Sequence, residues 1–226
     1  MTIHARDIAS LRLLARYRIL FYKAWSVGIF GVPGKTVGAA ASDLAKKGFL
    51  KIHNRELPGN ITYVTPTEKT AQAITAMPLD RASPKGQIAL TQAVAVLYFC
   101  VLDTQPRHRL EPIEVGPLVE NLKFSPNVIH VASAELGTPC VYRVLLTKDA
   151  QHIQRELSAE QRALDKSKKL QHCVHDRTYG WALLAPTRAA VEAITRQVAA
   201  GKLGRDIPLI VGLGPTTETL SQALKG

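Results

Sequence analysis

Along DIASLRLLARYRILFYKAW, residues 7–25, apolar side chains recur at Ile8, Leu11, Leu14 and Ala15, which is a helical spacing with Asp7 placed to cap it. Residues 15–18 divide this stretch into two helices, the second centred on Leu20, Phe21 and Trp25. In KTVGAAASDLAKKGFL, Val37, Ala40, Ala41 and Leu44 make a narrow apolar stripe that Gly48 terminates. Lys35, Thr36, Ala39, Ser42, Asp43 and Lys46 then face outward. FLKIHNR alternates as a strand, ELPGN turns, and ITYVT alternates back. A short helix over residues 67–76 follows. Helix, helix, turn, helix, hairpin, helix is the order of a winged helix-turn-helix.

Beyond residues 78–87, a polar and Pro-containing linker, the pattern changes. IALTQAVAVLYFCVL predicts a buried helix, and NVIHVAS and CVYRVLL predict strands. Residues 149–171 predict one long polar helix. GWALLAP and PLIVGLG predict buried strands, each followed by a helix. The expected fold is α+β: a winged helix at 1–77, the linker at 78–87, and an α/β domain at 88–226.

Composition narrows the function classes. The chain has 226 residues, 29 Lys and Arg against 18 Asp and Glu, and a net charge of +11, which favours a polyanionic partner. The charge is densest in residues 1–80, with 11 basic against 5 acidic side chains. Cys100, Cys140 and Cys173 are odd in number and widely spaced in apolar surroundings, which predicts reduced thiols. Neither a transmembrane run nor a secretory leader is read from the chain, so a cytoplasmic location is expected.

The stretch GIFGVPGKT ends in the Gly-Lys-Thr of a phosphate-binding loop. That loop needs a glycine five positions before Gly34, where this chain has Ile29, with Gly28 one position too early. It also needs a preceding buried strand, and RILFYKAW does not alternate. No nucleotide or other cofactor is therefore expected. Gly31, Pro33 and Gly34 instead make the turn into the third helix, whose first turn carries Lys35 and Thr36 where backbone N–H groups favour a phosphate. Ser42 and Lys46 lie further along that helix. On the wing, Lys51, His53 and Arg55 are expected to share one face, with Asn60 at the tip. These eight residues are the candidate duplex-DNA contacts. The HCVH stretch, residues 172–175, lacks the second ligand pair that a zinc site needs, so no metal is expected there.

LRLLARYRILFYKAW, GKTVGAAASDLAKKGFLKIH and ITYVTPTEKTAQAI together resemble the winged helix of the replication-relaxation proteins of plasmids and mobile elements. SPNVIHVA and GWALLAPTRAAVEAI resemble that family's second, nuclease-like domain. The resemblance implies DNA binding in replication, transfer or transcriptional control. It also implies a second domain of the restriction-endonuclease-like PD-(D/E)xK class, in which acidic side chains hold Mg²⁺ and a lysine orients water. Here Pro126-Asn127 stands where Pro-Asp is expected, and Arg143 occupies the strand that should be acidic. The domain therefore reads as degenerate and non-catalytic, serving dimerisation or protein contact. The alternatives are a Mg²⁺-dependent nuclease or nicking accessory using Glu135 and Asp149, and a protein-interaction adaptor whose winged helix does not meet DNA.

Overall fold

Arg18 ends the first helix, α1 (Ala5–Tyr17), in the left-handed region at φ 65°, with its N–H returned to Leu14 O. His4 rather than Asp7 takes the N-cap position. The computed structural model describes residues 4–31, 37–74, 83–120, 122–125, 128–135, 140–147, 150–203 and 207–225. After the break, Leu20 and Phe21 form a short strand, β1 (Leu20–Phe21), instead of lying inside a second helix as expected. They pair antiparallel with Val64 and Tyr63. Two consecutive buried residues carry no alternation, so their period could not separate strand from helix.

α2 (Tyr22–Phe30) and α3 (Val37–Lys46) follow. Trp25 on α2 is fully buried and donates its indole N–H to Ser10 Oγ at 3.0 Å, tying α2 to α1. On α3 the stripe behaves as its spacing predicts. Val37, Ala41 and Leu44 are buried, while Ala39, Ser42, Asp43 and Lys46 are exposed. β2 (Leu50–Leu57) and β3 (Ile61–Pro66) form an antiparallel hairpin, and β1 completes a three-stranded sheet in the order β1-β3-β2. α4 (Glu68–Ala73) begins at Thr67, whose hydroxyl donates to Gly48 O at 2.7 Å and Phe49 O at 3.0 Å. Those bonds fasten α4 to the start of β2.

The chain divides into two units at places other than the expected linker. Unit 1 comprises Met1–Leu102 and Thr216–Gly226, and unit 2 comprises Asp103–Pro215. α5 (Gly86–Leu97) and a π-helical turn (Tyr98–Leu102) belong with unit 1, where they pack on α1 and α2. Residues 78–82 of the expected linker lie outside the described residues, and the buried run from Ala93 to Cys100 can serve either core, since composition does not say which. The C-terminal helix α10 (Leu220–Ala223) also returns to unit 1. Tyr98 Oη donates to Ala223 O at 3.0 Å, Lys23 Nζ to Leu224 O at 2.7 Å, and Gln87 Nε2 to Thr217 Oγ1 at 2.6 Å.

Unit 2 is built on a five-stranded mixed sheet of β4 (Arg107–Leu110), β5 (His130–Ser133), β6 (Cys140–Leu146), β7 (Tyr179–Ala185) and β8 (Leu209–Leu213), in that order. β4, β5 and β6 pair antiparallel, and β6, β7 and β8 pair parallel. Parallel neighbours need crossovers. These are α7 (Ala150–Asp165) with α8 (Lys168–His175), and then α9 (Arg188–Ala199). The expected single helix over 149–171 is thus two, interrupted before Ser167, whose hydroxyl caps α8 at Leu170 N. β4 and the short helix α6 (Pro112–Leu118) had no counterpart in the expected pattern. Every residue of β7 is buried, as a strand covered on both faces requires. The three cysteines are free and buried. Among the described residues no helix is long and apolar enough to cross a membrane.

Candidate nucleic-acid interface

The outer face of α3 and the β2–β3 hairpin carry the candidate contacts, and the structure sorts them. Lys35 and Thr36 lie outside the described residues. Ser42 and Lys46 are exposed on α3, and Lys51 is exposed on β2. The neighbouring Lys47 is tied back, with Nζ 2.5 Å from Asp43 and 3.9 Å from Asp7. Its pKa is raised, chiefly by the hydrogen bond to Asp43. Lys46, Lys51 and Arg55 form no ion pair with any described residue.

His53 is placed differently from expectation. Both ring nitrogens are engaged inside the hairpin. Nδ1 lies 2.9 and 3.0 Å from the Glu56 carboxylate oxygens, and Nε2 lies 2.9 Å from Thr65 Oγ1. The ring also stacks on its cross-strand partner Tyr63, with centroids 4.5 Å apart. Tyr63 Oη donates to Glu56 at 3.0 Å. These bonds from His53 and then Tyr63 hold the Glu56 pKa below its ordinary value. Burial, reinforced by Glu56, pushes the Tyr63 phenol up to about 12. His53 is thus a fastener of the hairpin, with no ring nitrogen left for a phosphate. A residue alternating with lysine on a strand gives no sign of this; the signal was Glu56 three positions on and an aromatic opposite.

The expected shared face of Lys51, His53 and Arg55 also ends at His53. The register shifts between His53 and Leu57, and Arg55 sits in the bulge at φ 60°. Arg55 remains exposed, but the bulge and not the strand period sets its direction. Asn60, at φ 56°, is exposed beside Gly59. Gly59 has φ 79°, and a Cβ there would lie 2.6 Å from Ser221 Cβ. The hairpin tip therefore rests on α10 within unit 1, with room for no side chain at Gly59.

Unit 2 concentrates its polar chemistry in one transverse row. Leu110, His130, Arg143, Trp181 and Leu209 are register partners across all five strands. Glu160 descends on this row from α7, only 6% exposed. Its Oε2 accepts from Arg143 Nη1 at 2.6 Å and from the Trp181 indole N–H at 3.2 Å. His130 is 2% exposed, with Phe124 and Tyr179 against its ring. Burial first, and then the charge of Arg143, push its pKa down to about 4.

A depressed histidine pKa makes stability depend on pH. The unfolded chain takes up this proton near pH 6.5, whereas the folded one resists it until about 4. The stabilising neutral state is therefore fully present above pH 6.5 and is lost as pH falls toward 4. Urea unfolding at pH 7.0 and 4.5 should show a loss on the order of 2 kcal/mol that is absent from His130→Phe. An equal loss in both proteins would show that another group is responsible.

A second polar cluster joins Arg107 to two carboxylates. Its Nη1 lies 2.5 Å from Asp103 Oδ2, and its Nε bonds Glu135, which also accepts from Ser133 Oγ at 3.2 Å. Glu135, a candidate metal ligand of the nuclease alternative, is thus neutralised by a guanidinium. Pro126, Asn127, Lys148 and Asp149 lie outside the described residues. In HCVH, Cys173 and Val174 enter the core, while the exposed His172 pairs with Glu120 and lies 3.1 Å from Asp176. Those two carboxylates, Glu120 first, raise the His172 pKa. No group of three or more potential metal-binding side chains occurs among the described residues. No protein-family model, curated protein or solved structure matches this chain.

Proposed function

We propose that this protein binds duplex DNA without catalysing a reaction on it, as a regulator or as a replication or transfer accessory, with unit 1 acting as a winged helix. The observation that carries the reading is the order of unit 1: helix, short strand, helix, helix, hairpin, closed as a β1-β3-β2 sheet. In that arrangement α3 is the helix offered to the major groove and β2–β3 is the wing. Its small outer residues, Ala39 and Ser42, let the backbone approach phosphates but offer few groups for reading bases. Binding is therefore dominated by backbone contacts from Lys46, Lys51 and Arg55, with Lys35 and Thr36, which precede α3 in sequence, as further proposed contacts. Asn60 is an accessory contact, and His53 acts only by holding the hairpin. The nuclease alternative is disfavoured by the Arg107–Glu135 pair, which leaves Glu135 a poor cation ligand. Unit 2 then serves pairing of protomers or a protein partner.

Fluorescence anisotropy of a labelled duplex across 50–300 mM salt tests the reading. Lys46→Ala/Lys51→Ala/Arg55→Ala should lower the salt slope by about 2–3, since each phosphate contact contributes about 0.9. His53→Ala should lower thermal stability instead. An unchanged slope in the triple variant would remove these residues from the interface and favour the adaptor alternative.

A further inference from the structure

The outer face of α7 carries a row of cations that the architecture of unit 2 does not use. Ile153, Leu157 and Leu164 are buried on one side of the helix, with Glu160 among them. At 100° per residue the opposite line passes through Arg155 and Arg162, and Lys166 extends it just past the helix end. Arg155 and Arg162 stand two turns apart, about 10–11 Å along the axis. Lys168 and Lys169 follow at the start of α8. All five are exposed, and none forms an ion pair with a described residue. The two acids flanking the row are turned to other partners. Glu156 lies 4.0 Å from His152, and Asp165 accepts from Gln161 at 3.0 Å.

Between the cations the surface is polar and uncharged. Gln154, Arg155, Ser158 and Arg162 line a shallow depression on this face. No Phe, Tyr or Trp occurs between residues 150 and 175, so no platform exists on which an unstacked base could rest. Ala159 and Ala163 are exposed and small, leaving the helix free to lie close to a surface. A row of guanidinium and ammonium groups without ion pairs, of which Arg162 Nε bonds only its own helix at Ser158 O at 3.2 Å, complements a line of phosphates. A duplex presents such a line, with one charge per about 1.7 Å of axis.

We infer that the outer face of α7 and the first turn of α8 form a second duplex-binding surface, reading the phosphate backbone irrespective of sequence. It extends the proposed DNA binding of unit 1 and rests on that reading for the identity of the polyanion. Binding here draws on Arg155, Arg162, Lys166, Lys168 and Lys169, and each contact releases counterions. Removing three of them should therefore change the salt dependence more than any preference among sequences.

The test uses the full chain and a labelled duplex of about 30 base pairs, titrated from about 50 to 300 mM salt. Arg155→Ala/Arg162→Ala/Lys166→Ala should lower the salt slope by about 2–3 and weaken binding at least tenfold at 100 mM salt, equally for unrelated duplexes. Arg155→Lys/Arg162→Lys, which keeps the charge, should retain the wild-type slope. Circular dichroism should show the same melting for every form, because the replaced side chains are exposed. A wild-type slope in the α7 triple variant, with a flattened slope in the Lys46/Lys51/Arg55 variant, overturns this inference and leaves the winged-helix reading standing. That is also the outcome if the face serves an acidic protein. A flattened slope in the α7 variant alone supports the inference and removes the unit 1 interface. Wild-type slopes in both variants overturn both.

Discussion

Gly180→Ala is expected to unfold unit 2 or destabilise it by at least about 3 kcal/mol, more than a single methyl group ordinarily costs. Gly180 lies near the start of β7, where the chain entering β8 passes unusually close. A Cβ at this position would stand 2.2 Å from Pro208 O and 2.8 Å from Pro208 Cβ. The nearest atoms are backbone and proline ring, so no side chain can rotate away. The same carbonyl accepts from Trp181 N at 2.9 Å, so moving Pro208 aside breaks the first bond joining β7 to β8. Pro208→Ala removes the ring but not the carbonyl, and should restore little of the lost stability. Urea unfolding followed by tryptophan fluorescence measures both variants, because Trp181 lies beside the lesion. A Gly180→Ala protein within 1 kcal/mol or so of wild type would mean that the backbone can relax here.

The second large effect is expected at Glu160. Glu160→Ala leaves Arg143 without its counter-ion and the Trp181 indole N–H without an acceptor, both beneath α7. Truncating one member of a buried pair costs about 3–5 kcal/mol. The Arg143 side chain keeps 28% of its surface, so water screens part of that charge and the cost should fall to about 2–3 kcal/mol. Glu160→Gln keeps an acceptor for the indole and should recover about half of the loss. Adding Arg143→Met to Glu160→Ala should also recover stability, because the stranded cation is then gone. Urea unfolding of wild type, Glu160→Ala, Arg143→Met and the double variant completes a double-mutant cycle and gives the coupling directly. A coupling near zero would show that the pair contributes nothing beyond packing.

How much of this molecule could be read from its letters depends on what each element hides. β5, β6, β7 and β8 were legible because apolar runs of strand length lie between turn residues, and α3 because its buried stripe is narrow and regular. β4 was not, since its inward residues are Arg107 and Arg109, 8% and 9% exposed, and buried arginines imitate a solvated loop. Glu160 was missed for a related reason. A carboxylate among Ile153, Leu157 and Leu164 looks like a gap in a polar helix, and only its partners on β6 and β7 give it a purpose. Of the candidate contacts, Ser42, Lys46, Lys51, Arg55 and Asn60 are exposed, as the pattern implied. The role of His53 was missed because Glu56 three positions on gains its meaning only with Tyr63 and Thr65 across the strand pair. One-dimensional spacing does not record the cross-strand partners.

The return of Thr216–Gly226 to unit 1 gives the chain a nested order of synthesis. All of unit 2 is made before the segment carrying Leu220, Ser221 and Ala223, so its sheet has every strand available while unit 1 still waits for its last helix. Until that helix arrives, the carbonyl that receives the Tyr98 hydroxyl is missing, and the hairpin tip at Gly59 has nothing to rest on. A nascent chain stalled after residue 215 would therefore hold a complete inserted unit inside an incomplete host. The Tyr98–Ala223 bond and the Gly59–Ser221 approach can therefore form only once residues 216–225 have been made, after every strand of the inserted unit.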